Sequence, residues 1–333
     1  MVDGRQMCCV CGEPVSERFK VPCDYRRPEI AREYSVYWCQ QCDLGQIQPR
    51  PSLNEIADSY NVENYYTHDG STDERASRST PGSRTILDRL RTHLSWRLDC
   101  GTELSPEEIR VTVEDRKPTI CEIGCGNGQC LLQFAGAGYD VFGVEPDSSA
   151  LDVANSELAK VGMEGRVLCG TAEELPESVR SRRYDVVLMS HVLEHCLDVN
   201  EAISNSRELL SANGVLVIEV PNCAALGFQQ QLGAWPWADI PRHLNFFTPR
   251  SLELLLTKHG LQVSTTVFRG YCRQFSKTWL ENERQIYSAF ARHQSTGTAL
   301  PGFNSRAWRL LIRSVFARPA LKYDSVRIAA RIR

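Results

Sequence analysis

The 333-residue sequence has no long apolar run and no strong excess of either charge. Its most apolar stretches, Asp185 to Met189 and Gly214 to Val220, are far shorter than the ~20 residues that a membrane-spanning helix needs. No basic segment followed by an apolar run opens the chain, so a targeting peptide is not expected and a cytoplasmic setting is. A net charge of −3 offers no chain-wide basic field of the kind that draws proteins onto nucleic acid. No internal repeat is present. What remains is ordinary: 42% apolar and 24% charged residues, in a chain long enough for one large domain and a smaller one.

Cysteine, by contrast, is plentiful. Six of the 14 cysteines, Cys8, Cys9, Cys11, Cys23, Cys39 and Cys42, crowd into the first fifty residues. In a reducing compartment such thiols are better read as metal ligands than as disulfides. Four segments follow from the patterning. Residues 1–52 are cysteine-rich and end at Pro49-Arg50-Pro51, and residues 53–115 form a helical linker or lid interrupted by a Ser/Thr/Gly-rich stretch at 68–83. Residues 116–275 alternate strand and helix patterns, which marks an α/β fold with a mostly parallel sheet. Residues 276–333 read as a helical, basic extension. Strands are expected at 119–123, 141–144, 166–169, 184–189, 215–220 and 261–268, with a short seventh near 271–275.

The first of these strands runs into Glu122-Ile123-Gly124-Cys125-Gly126-Asn127-Gly128. A strand that ends in glycines and opens a helix presents bare N–H groups at a positive helix end, and side chains at the three glycines would keep a ligand away. Glu145 closes the next strand, where a carboxylate can grip both hydroxyls of a ribose. Turn, helix and acid together indicate an adenosine cofactor. The dinucleotide fingerprint is G-x-G-x-x-G, but here the third glycine comes one position early and Gln129 stands in its place. Glu122 is unhelpful beside a pyrophosphate and well suited to an ammonium. The sequence therefore favours S-adenosylmethionine over NAD.

With these motifs in order, residues 119–268 resemble a class I, Rossmann-like methyltransferase. The resemblance is carried by 121–128, Val144-Glu145-Pro146-Asp147, 170–176, Tyr184-Asp185-Val186-Val187, His191-Val192-Leu193-Glu194-His195 and 210–222. It implies that the backbone around Gly124, Cys125, Gly126 and Gly128 cradles the amino-acid part of the cofactor. Glu145 and Pro146 would meet the ribose, Thr171, Ala172 and Glu173 would frame the adenine, and Ser190 and His191 would lie against the methionine side. His195 reads as a packing residue.

Cys8-x-x-Cys11 and Cys39-x-x-Cys42 are identically spaced knuckles. Thiolates at i and i+3 around a tight turn can meet one tetrahedral Zn(II), and two such turns close a four-thiolate structural site. A redox dithiol is the competing reading. Gly12 and Gly45 follow the knuckles and would supply the positive φ such turns require. With the surrounding residues, this segment resembles the zinc-binding module that precedes the catalytic domain of sugar C-methyltransferases and related polysaccharide and natural-product enzymes, as does the cluster Tyr60, Tyr65 and Tyr66.

The stretch after the fifth strand, with Asn222, Trp235, Trp237, Asp239 and 241–248, reads as the acceptor surface, because aromatic faces interleaved with Arg, His and Asn suit a sugar. His243 is the candidate general base; its competing role is to cap the helix that follows. In the sugar C-methyltransferases a Tyr/His/Glu/His cluster occupies this neighbourhood, and here Arg242-His243 stands without the Glu-His pair. The Asn/Asp-Pro-Pro-aromatic motif of nucleic-acid amino methyltransferases is missing after the fourth strand. The basic tail from Arg306 onward reads as a solvated helix face, with contact to a membrane surface as its alternative. The expected protein is a methyltransferase for a sugar, nucleotide sugar or natural-product intermediate. A zinc-ribbon binding protein with a non-catalytic domain and an NAD-dependent oxidoreductase are the competing classes.

Overall fold

The structure is a computed structural model that describes residues 6–60, 85–102, 104–113, 117–293 and 302–333. The stretch 68–83, Tyr65 and Tyr66 lie outside the described residues. The larger sheet has seven strands in the order β10-β11-β8-β7-β4-β5-β6. These are β4 (Thr119–Ile123), β5 (Asp140–Glu145), β6 (Val167–Cys169), β7 (Tyr184–Ser190), β8 (Leu210–Pro221), β10 (Leu261–Arg269) and β11 (Ser325–Ile332). β4 to β8 pair in parallel, while β11 runs antiparallel to both of its neighbours. The central strands are apolar along their length, with Val186, Val187, Leu188 and Met189 all buried, because helices cover both faces of the sheet.

On one face lie α3 (Pro106–Thr112), α4 (Gln129–Gly136) and α5 (Ser148–Ala159), whose Ile109, Leu131, Phe134 and Leu158 pack on Val186, Leu188 and Val217. On the other lie α7 (Val199–Glu208) and α9 (Pro249–Lys258), packed through Ile203, Leu252 and Leu255. Helix starts are written in the sequence. Ser105, Asp147 and Asp198 each accept backbone N–H groups of the first turn, and Thr248 with Ser251 forms a capping box, satisfying donors that a helix leaves open. Thr248 therefore caps α9, and His243 is released from that role.

Two expectations change here. The seventh strand is Ser325–Ile332, not 271–275, where Cys272–Phe275 forms a 3₁₀ turn. The helical reading of the tail holds for Lys277–Ala291 (α10), Phe303–Ser314 (α11) and Pro319–Lys322 (α12). It fails for the last residues, whose alternate apolar and arginine positions are a strand pattern of period two.

The amino-terminal module is a smaller antiparallel sheet of β1 (Ser16–Val21), β2 (Tyr34–Cys39) and β3 (Leu44–Gln48), followed by α1 (Leu53–Tyr60). Its fourth strand comes from the unit that carries the larger sheet: β9 (Asn245–Phe246) pairs with Gln46 and Gly45 of β3. Trp38, Phe228, Trp235 and Phe246 fill the core between the two. Arg242 ties the seam, holding Asp24 at 2.7 Å, Asp239 at 3.0 Å and the Ser59 carbonyl at 2.9 Å while fully buried. These bidentate partners raise its pKa against the lowering effect of burial. The acceptor-surface reading of 235–248 is thus corrected in most of its members. Trp235, Arg242, Phe246, Phe247 and Asn222 are interior, and Trp237 alone among the tryptophans of that stretch keeps a partly exposed face.

Candidate donor and acceptor sites

The glycine turn closes β4 as expected and α4 starts at once after it. Gly124, Gly126 and Gly128 all have positive φ, at 69°, 53° and 77°, where L side chains are strained. Their spatial reasons differ from the expectation. A Cβ on Gly124 would collide with Val192, and one on Gly128 would lie 2.9 Å from Ala154 of α5. Gly126 alone borders open space. One glycine leaves room for a ligand and two let the turn pack.

Glu145 Oε2 accepts from Gly126 N at 2.7 Å and Oε1 from Asp147 N at 3.0 Å. Burial still raises its pKa above the usual carboxylate range. Glu122 is 4% exposed, and its Oε2 has no hydrogen-bond partner among the described residues. Burial, then the nearby Glu145 charge, push its pKa up to about 8 against a lowering bond to Cys130. A buried, half-satisfied carboxylate beside an open glycine fits a ligand that brings its own cation. Glu173 is engaged within the protein, where its Oε1 accepts from Leu197 N at 2.8 Å. Thr171 closes its own turn by accepting from Glu174 N at 3.0 Å, and buried Ala172 gives its carbonyl to Asn205.

Past the end of β7 the backbone turns sharply. Ser190 pairs with Glu219 across the strands, and His191 adopts φ of 55°, strain of the kind that clusters at functional sites. The His191 ring faces two carboxylates, Glu194 at 3.2 Å and Glu219 at 3.5 Å, and stacks on Trp237 at 4.9 Å. Burial lowers its pKa, but the two acids outweigh it and hold the imidazolium up to about 9. Glu219 is also ringed by Arg269 at 3.2 Å and Arg327 at 3.6 Å. Burial alone would raise it, yet His191 and the two guanidiniums bring it down to about 2.

His243 is buried, and its Nδ1 lies 2.8 Å from the Trp237 carbonyl. His195 stands edge-on to it at 4.5 Å between ring centroids, with Nδ1 3.1 Å from the Arg242 carbonyl. A carbonyl can only accept, so each Nδ1 carries the hydrogen and each Nε2 keeps its lone pair. Burial and the His195 ring lower the pKa of His243 to about 4. One donor atom each of Glu194, His195 and His243 lies within 4.8 Å of the others, a spacing at which one cation could also be shared. Glu194 Oε2 has no hydrogen-bond partner among the described residues. A Glu-His pair, Glu194-His195 of the turn after β7, thus lies beside the His243 loop in space. Sequence reading missed it because the pair lies some fifty positions upstream, and the signal was His191-x-x-Glu194-His195 itself.

In the module, the four expected thiols do converge: Cys8, Cys11, Cys39 and Cys42 place their sulfurs within 4.8 Å of one another. Cys42 N donates to Cys39 Sγ at 3.3 Å. Gly12 has φ of 75° as expected, but in the second knuckle the positive φ of 60° falls on Asp43. Asp43 accepts from Trp38 Nε1 at 2.8 Å, and Gly45 is required instead because the Trp38 ring lies where its Cβ would stand.

A seven-stranded Rossmann-like sheet whose first strand runs into a glycine turn, with the buried acids Glu122 and Glu145 beside it, is the fold of a class I methyltransferase. The Methyltransferase domain family profile matches residues 100–266. The chain belongs to this family and carries its methyltransferase domain. It is 32% identical to a ubiquinone biosynthesis O-methyltransferase of Azorhizobium caulinodans over 151 residues, covering 44% of this chain and 59% of that one. Over 189 residues it is 28% identical to the human mitochondrial ubiquinone biosynthesis O-methyltransferase, covering 52% and 49%. The chain thus spans about half to three-fifths of the length of these relatives. Among solved structures, the YcgJ protein of Bacillus subtilis aligns with a TM-score of 0.48 at 17% identity, covering 68% of this chain and 97% of that one.

Proposed function

We propose that this methyltransferase transfers a methyl group to a hydroxyl of a small biosynthetic intermediate, with His243 as the base. One observation carries the reading: His243 Nδ1 is committed to the Trp237 carbonyl, which leaves Nε2 as its basic atom in a cluster with Glu194 and His195. The bound donor supplies an electrophilic methyl on a sulfonium. Glu122 would hold its ammonium and Glu145 its ribose, with the Gly124–Gly128 backbone between them, Pro146 and Ala172 at its edges, and Ser190 and His191 on the methionine side. His243 Nε2 would take the acceptor proton as the oxygen attacks the methyl carbon and the carbon–sulfur bond breaks. A pKa near 4 keeps His243 a free base at neutral pH, as general-base catalysis requires.

The acceptor we favour is a sugar or nucleotide sugar, for which the resemblance of the cysteine module to that of sugar-methylating enzymes speaks. A phenol is the second reading: a base this weak suits an acidic hydroxyl, and the relatives are named for O-methylation in ubiquinone biosynthesis. Radiolabelled methyl transfer to panels of nucleotide sugars and catechols separates the two. His243→Ala should lose turnover by about 10²-fold or more while S-adenosylhomocysteine still binds; full turnover by that variant would remove His243 from the mechanism.

The four-thiolate cluster we read as a structural Zn(II) site. Four sulfurs converge, and four thiolates fill the tetrahedral coordination of Zn(II) with no position left open for a substrate. Elemental analysis should find one zinc per chain, lost in Cys39→Ser together with thermal stability; a metal-free chain of full stability would refute it.

A further inference from the structure

Helix α2 (Ile86–Arg97) is inside out. Its buried residues are Arg91 and Ser95, whereas Ile86, Leu87, Leu90, Leu94 and Trp96 face outward, Ile86 85% and Trp96 66% exposed. The helix is well founded, since Thr85 caps it by accepting from Asp88 N at 3.1 Å. It is also firmly placed. Arg91 donates to Asn304 of α11, and Lys322 Nζ donates to the Leu98 carbonyl just past its end at 2.6 Å. The buried arginine thus anchors the helix with its apolar side away from the body.

Its neighbour α11 buries Ala307, Leu310 and Leu311 and leaves Arg309, Ile312 and Arg313 outside. Phe316, one turn further along, is 97% exposed. Charge on this side has one sign. Residues 302–322 contain no Asp or Glu, and the one acid of α2, Asp88, is spent on Thr85 and Arg91. Arg89, Arg97, Arg309, Arg313 and Arg318 are exposed, and no ion pair is recorded for them among the described residues.

Large apolar side chains held in water and set among arginines suit the plane of an anionic membrane, where the acyl boundary takes the former and the headgroups the latter. A second copy of the chain fits poorly. A two-fold interface would set arginines against arginines. We infer that α2, α11 and the segment to Lys322 form a docking face for an anionic lipid surface.

Co-sedimentation of the full chain with phosphatidylcholine vesicles, with and without phosphatidylglycerol, tests this. The chain should pellet with the anionic vesicles only, and less as salt rises. Leu90→Ser with Leu94→Ser, and separately Arg309→Ser with Arg313→Ser, should each weaken partitioning by about tenfold or more, each pair removing burial or charge worth several-fold per residue. Both pairs are exposed, so circular dichroism and melting should be unchanged. A full chain that stays in the supernatant at low salt would overturn the inference, as would variants that pellet like the parent. Light scattering that shows a dimer dissociated by the serine pair, without vesicle binding, would assign the face to a second copy instead.

Discussion

Glu122 and Glu219 are both buried in one sheet, on strands separated only by β7, and their pKa values are displaced in opposite directions. Glu122 has no cationic side chain among the causes of its shift from the described residues and is pushed up to about 8, while Glu219 is encircled by His191, Arg269 and Arg327 and held down to about 2. Burial penalises both alike. The difference is the partner: the protein neutralises Glu219 itself and leaves Glu122 for a ligand to neutralise. The first is architecture that fixes the turn after β7, and the second is where we propose that the ammonium of the methyl donor binds.

Breaking the paired acid should have the largest effect. Glu219→Gln leaves Arg327 and Arg269 without their shared buried counter-charge, and losses of this kind run to about 3–5 kcal/mol. Denaturant unfolding should show it, and an unchanged midpoint would mean that the ring of cations is supported elsewhere. Glu122→Gln should do the reverse. Stability should hold or rise, because a buried half-satisfied carboxylate is removed. S-adenosylhomocysteine affinity should fall about tenfold or more, the loss of a charged hydrogen bond worth about 1.5–3 kcal/mol.

The pH dependence sharpens the contrast. A folded-state pKa raised from 4.5 to about 8 makes the Glu122 contribution fall as pH rises across that interval, so the advantage of Glu122→Gln should grow up to pH 8 and then level. For Glu219, lowered from 4.5 to about 2, the contribution is present above 4.5 and lost as pH falls through 2. His191, raised from 6.5 to about 9, stabilises fully below 6.5 and loses that contribution as pH rises through 9. A His191→Gln variant should therefore flatten the alkaline limb of the stability curve; an unchanged limb would assign it to other groups. This is the smallest of the effects.

The donor side could be read from residues because its determinants are local. A strand, three glycines and two acids at fixed offsets impose one turn, whatever surrounds them. The knuckles are local in the same way, although Asp43 rather than Gly45 takes the left-handed position. The acceptor side could not be read so. Glu194, His195 and His243 meet only because Leu244 N donates to the Glu194 carbonyl and Asn245 Nδ2 to the Cys196 carbonyl, two bonds that bind the His243 loop to the turn after β7. Arg242, adjacent in sequence to a candidate base, proved to be the buried clamp on Asp24 and Asp239. The final strand was misread as helix because arginines alternating with small apolar residues satisfy both patterns until a sheet edge is known.

The proposed roles of Glu122 and Glu145 in holding the methyl donor are tested most directly by calorimetric titration of S-adenosylhomocysteine. Saturable one-to-one binding to the parent chain, weakened in Glu122→Gln and lost in Glu145→Ala while both variants stay folded, is the predicted result. Equal affinity in all three proteins, or no binding to the parent, would contradict it.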